Sequence, residues 1–455
     1  MNNKINVLKV ADNSKRKRED FNCIQNLVDH IADKKLEELG QEGAFVFSNG
    51  LSEIEGWSLE LDEEQVILKS EKENYVTGNI MGILGMDHEQ LMITSRFCKE
   101  ENQDYFLQYL LQKVLHLPNF VSFTQSIHQE EKIFEWLAFL FPLYLQKALR
   151  KGKFRDYMDQ VHNNAHVRGR MDIASHIQKN IPFQGKIAYR QREHLVDNDL
   201  MELIRHAIEA IRGKKYGHLI LDGVKEEAMA IERVTLKYRM ADRRKVIEAN
   251  RKNPIQHAYY REYGDLQKLC LFILQNQQHS LYLGNQKMYG ILFDGAWLWE
   301  EYLNIILGEK FYHPMNKKKL GVQKLFDRAG TVYPDFLGRN PNNRVIADAK
   351  YKPAKNIYGR DYLQILAYML RFESKRGYFL YPQSGEQRDG QFIHLRLNQG
   401  ITYEKNVSPR EDIDVIKLGF AIPRYSNNYK EFVRQMEESE RLFFQLLASD
   451  NETNS

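Results

Sequence analysis

Asp335, Asp348 and Lys350 are the residues whose types and spacing best suggest chemistry. They occur as Pro334-Asp335, a spacer of twelve residues, then Asp348-Ala349-Lys350. Two neighbouring carboxylates repel and raise each other's pKa. A bound divalent cation removes that repulsion, and oxygen ligands with retained water suit Mg²⁺ or Mn²⁺. Such an ion polarises a phosphoryl oxygen and lowers the pKa of a bound water. A lysine beside it orients the attacking water or neutralises charge building on the phosphate. The grouping therefore points to metal-dependent phosphodiester hydrolysis.

Two strands must bring these residues together. The run Val332-Tyr333 leads into Pro334-Asp335-Phe336-Leu337, and the polar stretch from Gly338 to Asn343 reads as a hairpin turn. The next strand is predicted over Val345 to Tyr351. Side chains alternate along it, so Ile346, Asp348 and Lys350 share one face. Ala347 and Ala349 take the other, where a helix can pack closely. Pairing of the two strands lets Asp335 approach Asp348.

A helix is predicted from Asp361 to Arg371. Leu363, Leu366, Ala367 and Leu370 form its expected buried stripe, with Asp361, Gln364, Tyr368 and Arg371 opposite. That polar side is either a solvated face or the wall of an active cleft that touches DNA. Gln364, Tyr368 and the nearby Lys352 are the candidate DNA contacts. Upstream, Asp294 can cap a helix holding Trp297, Leu298, Trp299, Tyr302 and Leu303, stopped by Gly308. This helix is apolar almost all round, so Glu300 and Glu301 need partners. One of the two can reach the metal site or Lys350.

The chain has 455 residues, enough for two or three domains, and a formal net charge of +4. From Lys310 to Arg360 there are twelve Lys or Arg against three acids, two of them Asp335 and Asp348. A basic field around a carboxylate pair suits a polyanionic substrate. Lys317-Lys318-Lys319 taken alone reads as a solvated loop. The three cysteines, Cys23, Cys98 and Cys270, lack the spacing of a zinc or iron–sulfur site. No apolar run has membrane-spanning length, and a cytoplasmic setting with no membrane partner is the expectation. No G-x-x-x-x-G-K-[ST] occurs, so any nucleotide hydrolysis belongs to a partner.

The rest of the chain gives a coarse pattern. Residues 1 to about 44 are polar, with some mobility expected, and Lys15-Arg16-Lys17-Arg18 reads as an exposed polar terminus. Short strands are predicted from Ala44 to Phe97, then helices from Asp104, Glu130 and Asn198. Arg168-Gly169-Arg170 either binds phosphate or pairs with carboxylates such as Asp172. Lys237 to Lys252 reads as a basic linker, a DNA-facing helix or a solvated face. Buried strands are expected at Gly377 to Pro382 and near Phe392, with a final helix from Glu431 to Leu447.

Pro334-Asp335, Asp348-Ala349-Lys350 and Gln364-x-x-x-Tyr368 resemble, in order and spacing, the PD-(D/E)xK nuclease superfamily. Phe293-Asp294-Gly295-Ala296-Trp297-Leu298-Trp299-Glu300-Glu301-Tyr302-Leu303 is similar to the F-D-M-N-x-L-F-E-x-[FY]-V helix of a narrower family. That family is McrC, the nuclease subunit of McrBC-type, modification-dependent 5-methylcytosine restriction systems. Gly295-Ala296 here replaces Met-Asn. Gly78-x-x-x-Gly82-Ile83 and the segment ending in Arg168-Gly169-Arg170 add to the likeness, which runs from about residue 75 to 382.

The resemblance selects Glu300 as the third acidic residue, with Asp335 and Asp348, at the metal. It implies methylated DNA as substrate and an McrB-type AAA+ GTPase hexamer as partner, stimulated by the N-terminal part. The expected fold is an α+β N-terminal region, a β-rich module plus helices over residues 1–254, that docks the partner. An α/β PD-(D/E)xK restriction-endonuclease-like domain follows over 255–455. A stand-alone repair or defence nuclease and a non-catalytic activator of the motor are the alternatives.

Overall fold

The structure, a computed structural model, describes residues 6–35, 38–39, 44–47, 66–97, 104–114, 129–214, 217–255, 257–276, 288–314, 323–341, 344–385, 392–400 and 407–452. The chain is a mixed α/β protein in two units. One is built from Met1–Ile127 with Leu283–Ser455, and the other is His128–Tyr282, inserted between them. The single boundary expected between residues 254 and 255 falls inside the inserted unit, whose helix Arg261–Asn276 lies beyond it.

The first unit has a five-stranded sheet in the order Asn6–Ala11, Glu89–Thr94, Ile80–Met86, Tyr289–Asp294, Ala44–Phe47. Tyr289–Asp294 runs antiparallel to Ile80–Met86 and parallel to Ala44–Phe47. All seven residues of Ile80–Met86 are buried, as an interior strand covered on both faces requires. The N-terminal segment corrects the expectation of a polar, partly mobile terminus. Phe21, Ile24, Leu27, Val28 and Ile31, at helical spacing, pack into this core from a 3₁₀ turn (Arg18–Ile24) and a helix (Gln25–Ile31). The basic Lys15–Lys17 segment is an exposed strand paired with Asn74–Thr77.

A six-stranded sheet in the same unit has the order Phe311–Tyr312, Phe336–Gly338, Val345–Ala349, Arg376–Ser384, Pro409–Ile422, Phe392–Asn398. The strands Val345–Ala349, Arg376–Ser384 and Pro409–Ile422 are mutually parallel. The last of them carries no clean alternation and was not expected from the sequence. The helix Arg360–Arg371 packs on the Ile346 face through Ile365, Tyr368 and Met369. Gly377, opposite Ile346 in the ladder, makes that approach possible: a Cβ there would lie 2.7 Å from Met369 Sδ and 3.0 Å from Ile365 Cγ1. The helix Gly295–Leu307 reaches the same sheet through Trp299, whose Nε1 donates to the Leu380 carbonyl at 3.1 Å.

Residues from both ends of the chain are interleaved in this unit. Glu440, on the helix Tyr429–Glu452, accepts from Tyr109 at 2.7 Å and from Tyr302 at 2.9 Å. Phe443 packs against Phe420 with ring centroids 5.2 Å apart and the rings tilted by 60°.

The inserted unit is mainly helical. Asn198 caps Asp199–Arg212 by accepting from Met201 N at 3.1 Å, as its position before an apolar periodic run predicts. The basic stretch expected as a linker or DNA-facing face includes the helix Arg243–Lys252, which buries Val246, Ile247 and Asn250. Asp156–Asn164 pairs antiparallel with Ile187–Leu195, which also pairs with Arg170–Met171. Beside them Ile173, Ile177, Ile181 and Phe183 are all exposed. No helix among the described residues is long and apolar enough to cross a membrane.

Among the described residues the strand Tyr289–Asp294 pairs with strands from the N-terminal third of the chain. A fragment of residues 255–455 is expected to be insoluble or to melt without a cooperative transition. Residues 1–127 and 283–455 produced together are expected to give a soluble complex with one sharp transition. Circular dichroism melting of both preparations checks this; cooperative melting of 255–455 alone would show that the ladder is dispensable.

Candidate active site

Asp335 and Asp348 meet through strand register. Phe336 pairs with Ala347 and Leu337 with Ile346, and one step further along the antiparallel ladder sets Asp335 opposite Asp348. Asp335 Oδ2 accepts from the Ala349 backbone N–H at 2.8 Å, which fastens its carboxyl to the end of the second strand. Asp348 is 1 % exposed, on an interior strand of the six-stranded sheet.

Lys350 closes the group. Its Nζ lies 2.5 Å from Asp348 Oδ2 and 3.7 Å from Asp361 Oδ1, and it donates to Gln364 Oε1 at 3.1 Å. Gln364 Nε2 in turn donates to the Tyr368 hydroxyl at 2.7 Å. Burial pushes Asp335 well above the usual carboxylate range, and the charges of Glu300 and Asp348 push it further. Asp348 is raised as well, chiefly by burial, with Lys350 opposing. Both carboxyls therefore favour the protonated form more than a free aspartate does. Burial works against the Lys350 ammonium, but Asp348 and Asp335 outweigh it and raise the lysine above its ordinary value. The Tyr368 hydroxyl is pushed up to about 12 by burial and by Asp348 and Asp335, so it stays a neutral hydroxyl that accepts from Gln364.

The structure thus gathers Asp335, Asp348, Lys350, Gln364 and Tyr368. Lys352, the other candidate DNA contact, is partly exposed and its Nζ pairs with Asp361 Oδ2 at 2.7 Å. The helix bearing Gln364 is turned from its expected orientation. Leu363 and Leu370, expected in the buried stripe, are 71 % and 77 % exposed, while Ile365, Tyr368 and Met369 are buried. Asp361 and Gln364 face Lys350 because its ammonium needs acceptors there.

Of the two acids on the Gly295–Leu307 helix, Glu301 is buried and Glu300 partly exposed. Asp294 caps this helix, with Oδ1 accepting from Ala296 N at 2.8 Å and Trp297 N at 3.2 Å. His313 was missed from the sequence. Its Nε2 stands 3.7 Å from Glu300 and 3.9 Å from Glu301, and its Nδ1 is 2.7 Å from the Asp335 carbonyl oxygen. The available signal was the pair of acids on an apolar helix, which demanded a donor without naming it.

Among the described residues no three His, Cys, Asp or Glu side chains form a ready-made metal-holding group, while Glu300 lies close enough to Asp335 for its charge to act on that carboxyl. The donor set is a carboxylate pair burdened by its own repulsion. This fits an ion such as Mg²⁺, which binds through one or two carboxylates and retains water. Elsewhere, Asp172 caps the helix Ile173–Asn180 and pairs with Arg190 at 2.7 Å, while Arg168 and Arg170 are exposed. Lys317–Lys319 and Cys98 lie outside the described residues; Cys23 and Cys270 are free thiols.

A family model described as McrBC 5-methylcytosine restriction system component matches residues 76–382. The chain is similar to one in a refined half-complex from the tetradecameric assembly of Thermococcus gammatolerans McrB AAA+ hexamers with bound McrC. That match has 16% identity and a TM-score of 0.46, covering 95% of this chain and 99% of the other. A second similar structure is the cryo-EM structure of the Thermococcus gammatolerans McrBC complex, at 15% identity and a TM-score of 0.32, covering 66% of this chain and 87% of that one. No curated protein matches.

A carboxyl raised in the folded state keeps a proton that the unfolded chain releases near the ordinary aspartate value. Its contribution to stability therefore falls as pH rises from that value to the raised one. Asp335→Asn retains an acceptor for Ala349 N–H and removes the repulsion. At neutral pH, without divalent ions, the variant is expected to be more stable than the parent by about 1 kcal/mol. Chemical denaturation in chelator checks this, and a loss of stability would show that the charge at Asp335 is a structural anchor.

Proposed function

The chain belongs to the family of McrBC 5-methylcytosine restriction system components, and from that premise we propose that it is the McrC-type nuclease subunit. On this reading it hydrolyses DNA phosphodiester bonds with a divalent metal and stimulates an McrB-type AAA+ GTPase. The region around the six-stranded sheet is then a PD-(D/E)xK nuclease domain. The observation that carries the reading is the convergence of Asp335, Asp348 and Lys350 on two paired strands, with Gln364 holding the lysine.

Asp335 and Asp348 would hold Mg²⁺ or Mn²⁺, which when bound supplies Lewis-acid activation of the phosphate and a more acidic water. Glu300 contributes negative charge beside Asp335. Lys350 stays protonated, since its neighbours raise its pKa. On this reading it acts as a cation. It orients the attacking water by donating to it and compensates charge developing on the phosphate. Gln364 keeps the ammonium aimed, and Tyr368 keeps Gln364 aimed.

The partner reading is supported by the exposed apolar group Ile173, Ile177, Ile181 and Phe183 in the inserted unit. Contiguous apolar surface of this kind marks an interaction site. The docking function expected of the N-terminal half is accordingly assigned to residues 128–282. Methylated DNA as the substrate follows from the family.

Cleavage of methylated DNA is to be measured with Mg²⁺, GTP and the partner, beside GTP turnover. Asp348→Asn is expected to abolish cutting and leave GTP turnover stimulated. Lys350→Ala is expected to slow the chemical step by roughly two to four decades, with DNA binding weakened much less. Full cleavage by either variant would sink the site.

Ile177→Asp combined with Phe183→Asp is expected to reduce stimulation of GTP turnover at least about tenfold, as loss of a buried apolar anchor does. The fold of the variant should be unchanged, because both residues are exposed. Undiminished stimulation would move the docking surface elsewhere.

A further inference from the structure

The residue after Lys350 points into a different part of the molecule. The strand ends at Ala349, Lys350 N donates to the Leu380 carbonyl at 2.9 Å, and Lys352 N donates to the Lys350 carbonyl at 2.8 Å. Between them Tyr351 is 5 % exposed. Its hydroxyl lies 3.1 Å from Ser95 Oγ and donates to Met81 Sδ at 3.4 Å. The Arg96 guanidinium sits 4.9 Å above its ring, and Phe97 meets it edge-on at 5.1 Å.

Those neighbours are themselves fixed. Arg96 is paired with the fully buried Asp12 at 2.9 Å, its backbone N–H donates to Asp12 Oδ1 at 2.6 Å, and it also donates to Asn79 Oδ1. Asp104 accepts from Ser95 N at 2.5 Å. All of this belongs to the five-stranded sheet and the ends of its strands. Gly295, the first residue of the helix that carries Glu300, leaves room for the ring: a Cβ there would lie 2.7 Å from Tyr351 Cε1 and 3.1 Å from Met81 Cε.

We infer that Tyr351 is a positioning residue for Lys350, by which the sheet formed from residues 6–97 and Tyr289–Asp294 sets the place of the lysine in the active site. The inference rests on the nuclease reading for Lys350. Adjacent Cα atoms are joined by a planar peptide, so a ring locked at 351 limits how far the backbone at 350 can move. A displacement of about 1 Å in a reacting group can cost on the order of 100-fold in rate.

The test uses the full chain with its GTPase partner. Tyr351→Phe keeps the ring and loses the hydroxyl bonds; Tyr351→Leu loses the wedge. The maximal rate of DNA cleavage is expected to fall about threefold to tenfold in the first and about 100-fold in the second, while DNA affinity stays within about threefold of the parent. Gly295→Ala should lower the rate in the parent by driving the ring aside, and add nothing in the Tyr351→Leu background, where the clash is gone.

Hydrogen exchange supplies a readout independent of cutting. Amides of the Lys350–Lys352 turn should exchange at least about tenfold faster in Tyr351→Leu, with those of Arg376–Ser384 unchanged. Unaltered rates and unaltered exchange in the turn would overturn the inference. So would additive effects of Gly295→Ala and Tyr351→Leu, or losses in affinity equal to those in rate. If Tyr351→Leu fails to fold, Tyr351→Phe decides. If the parent itself does not cut DNA, the nuclease reading falls, and the exchange arm still decides whether Tyr351 holds the turn.

Discussion

Two carboxyl groups pressed together at the edge of a protein interior are held there only if other contacts prevent their escape. Asp348 cannot turn away, because its strand is paired on both sides and a one-residue slip would reverse every face. Asp335 is fixed by the Ala349 N–H across the same ladder. The repulsion is therefore not relieved by movement. Lys350 offsets part of it from within the chain, which lets the protein fold before any ion arrives.

The lysine imposes its own demands. Its ammonium needs acceptors in a poorly hydrated place, and Asp348, Asp361 and Gln364 provide them. Two of these are on the Arg360–Arg371 helix, which must lie close to the sheet, and Gly377 permits that approach. The connection into that helix is held by a second buried lysine. Lys417 Nζ donates to the carbonyls of Ala354 at 3.2 Å and Ile357 at 2.8 Å, and it lies 5.0 Å from the Tyr362 ring centroid. A lysine on a buried strand thus adds a second donor to the Ala354 carbonyl, which already accepts from Ile357 N at 3.2 Å, and supplies one to the Ile357 carbonyl.

The site was legible in the sequence where its logic is local. Strand alternation sets Asp348 and Lys350 on one face, and a short hairpin returns Asp335 beside them, so both follow from spacing. The cap at Asp294 is equally local. The orientation of the Gln364 helix was not legible, because counting apolar residues assigned the stripe to Leu363 and Leu370. The lysine overrides that count: its need for acceptors turns Asp361 and Gln364 inward and leaves two leucines in solvent. The discontinuous unit was also hidden. Its deciding contact pairs Tyr289–Asp294 with Ala44–Phe47 and Ile80–Met86, across an insertion whose own helices are well patterned. No local periodicity reports a partner so far away in the chain.

That long-range pairing bears on function through the residues at the sheet ends. The strand Tyr289–Asp294 delivers Asp294, which caps the helix of Glu300, and Gly295, which opens the space for Tyr351. Strands Ile80–Met86 and Glu89–Thr94 deliver Met81 and, just beyond the second strand, Ser95 and Arg96 to the same tyrosine. Glu300 and Lys350, the acid and the lysine beside the Asp335–Asp348 pair, are thus both placed from one sheet that itself contributes no residue to that cluster. A disturbance of that sheet would reach Glu300 and Lys350 together, by two routes that share Gly295. An isolated loss of either side chain would be felt at one of them alone.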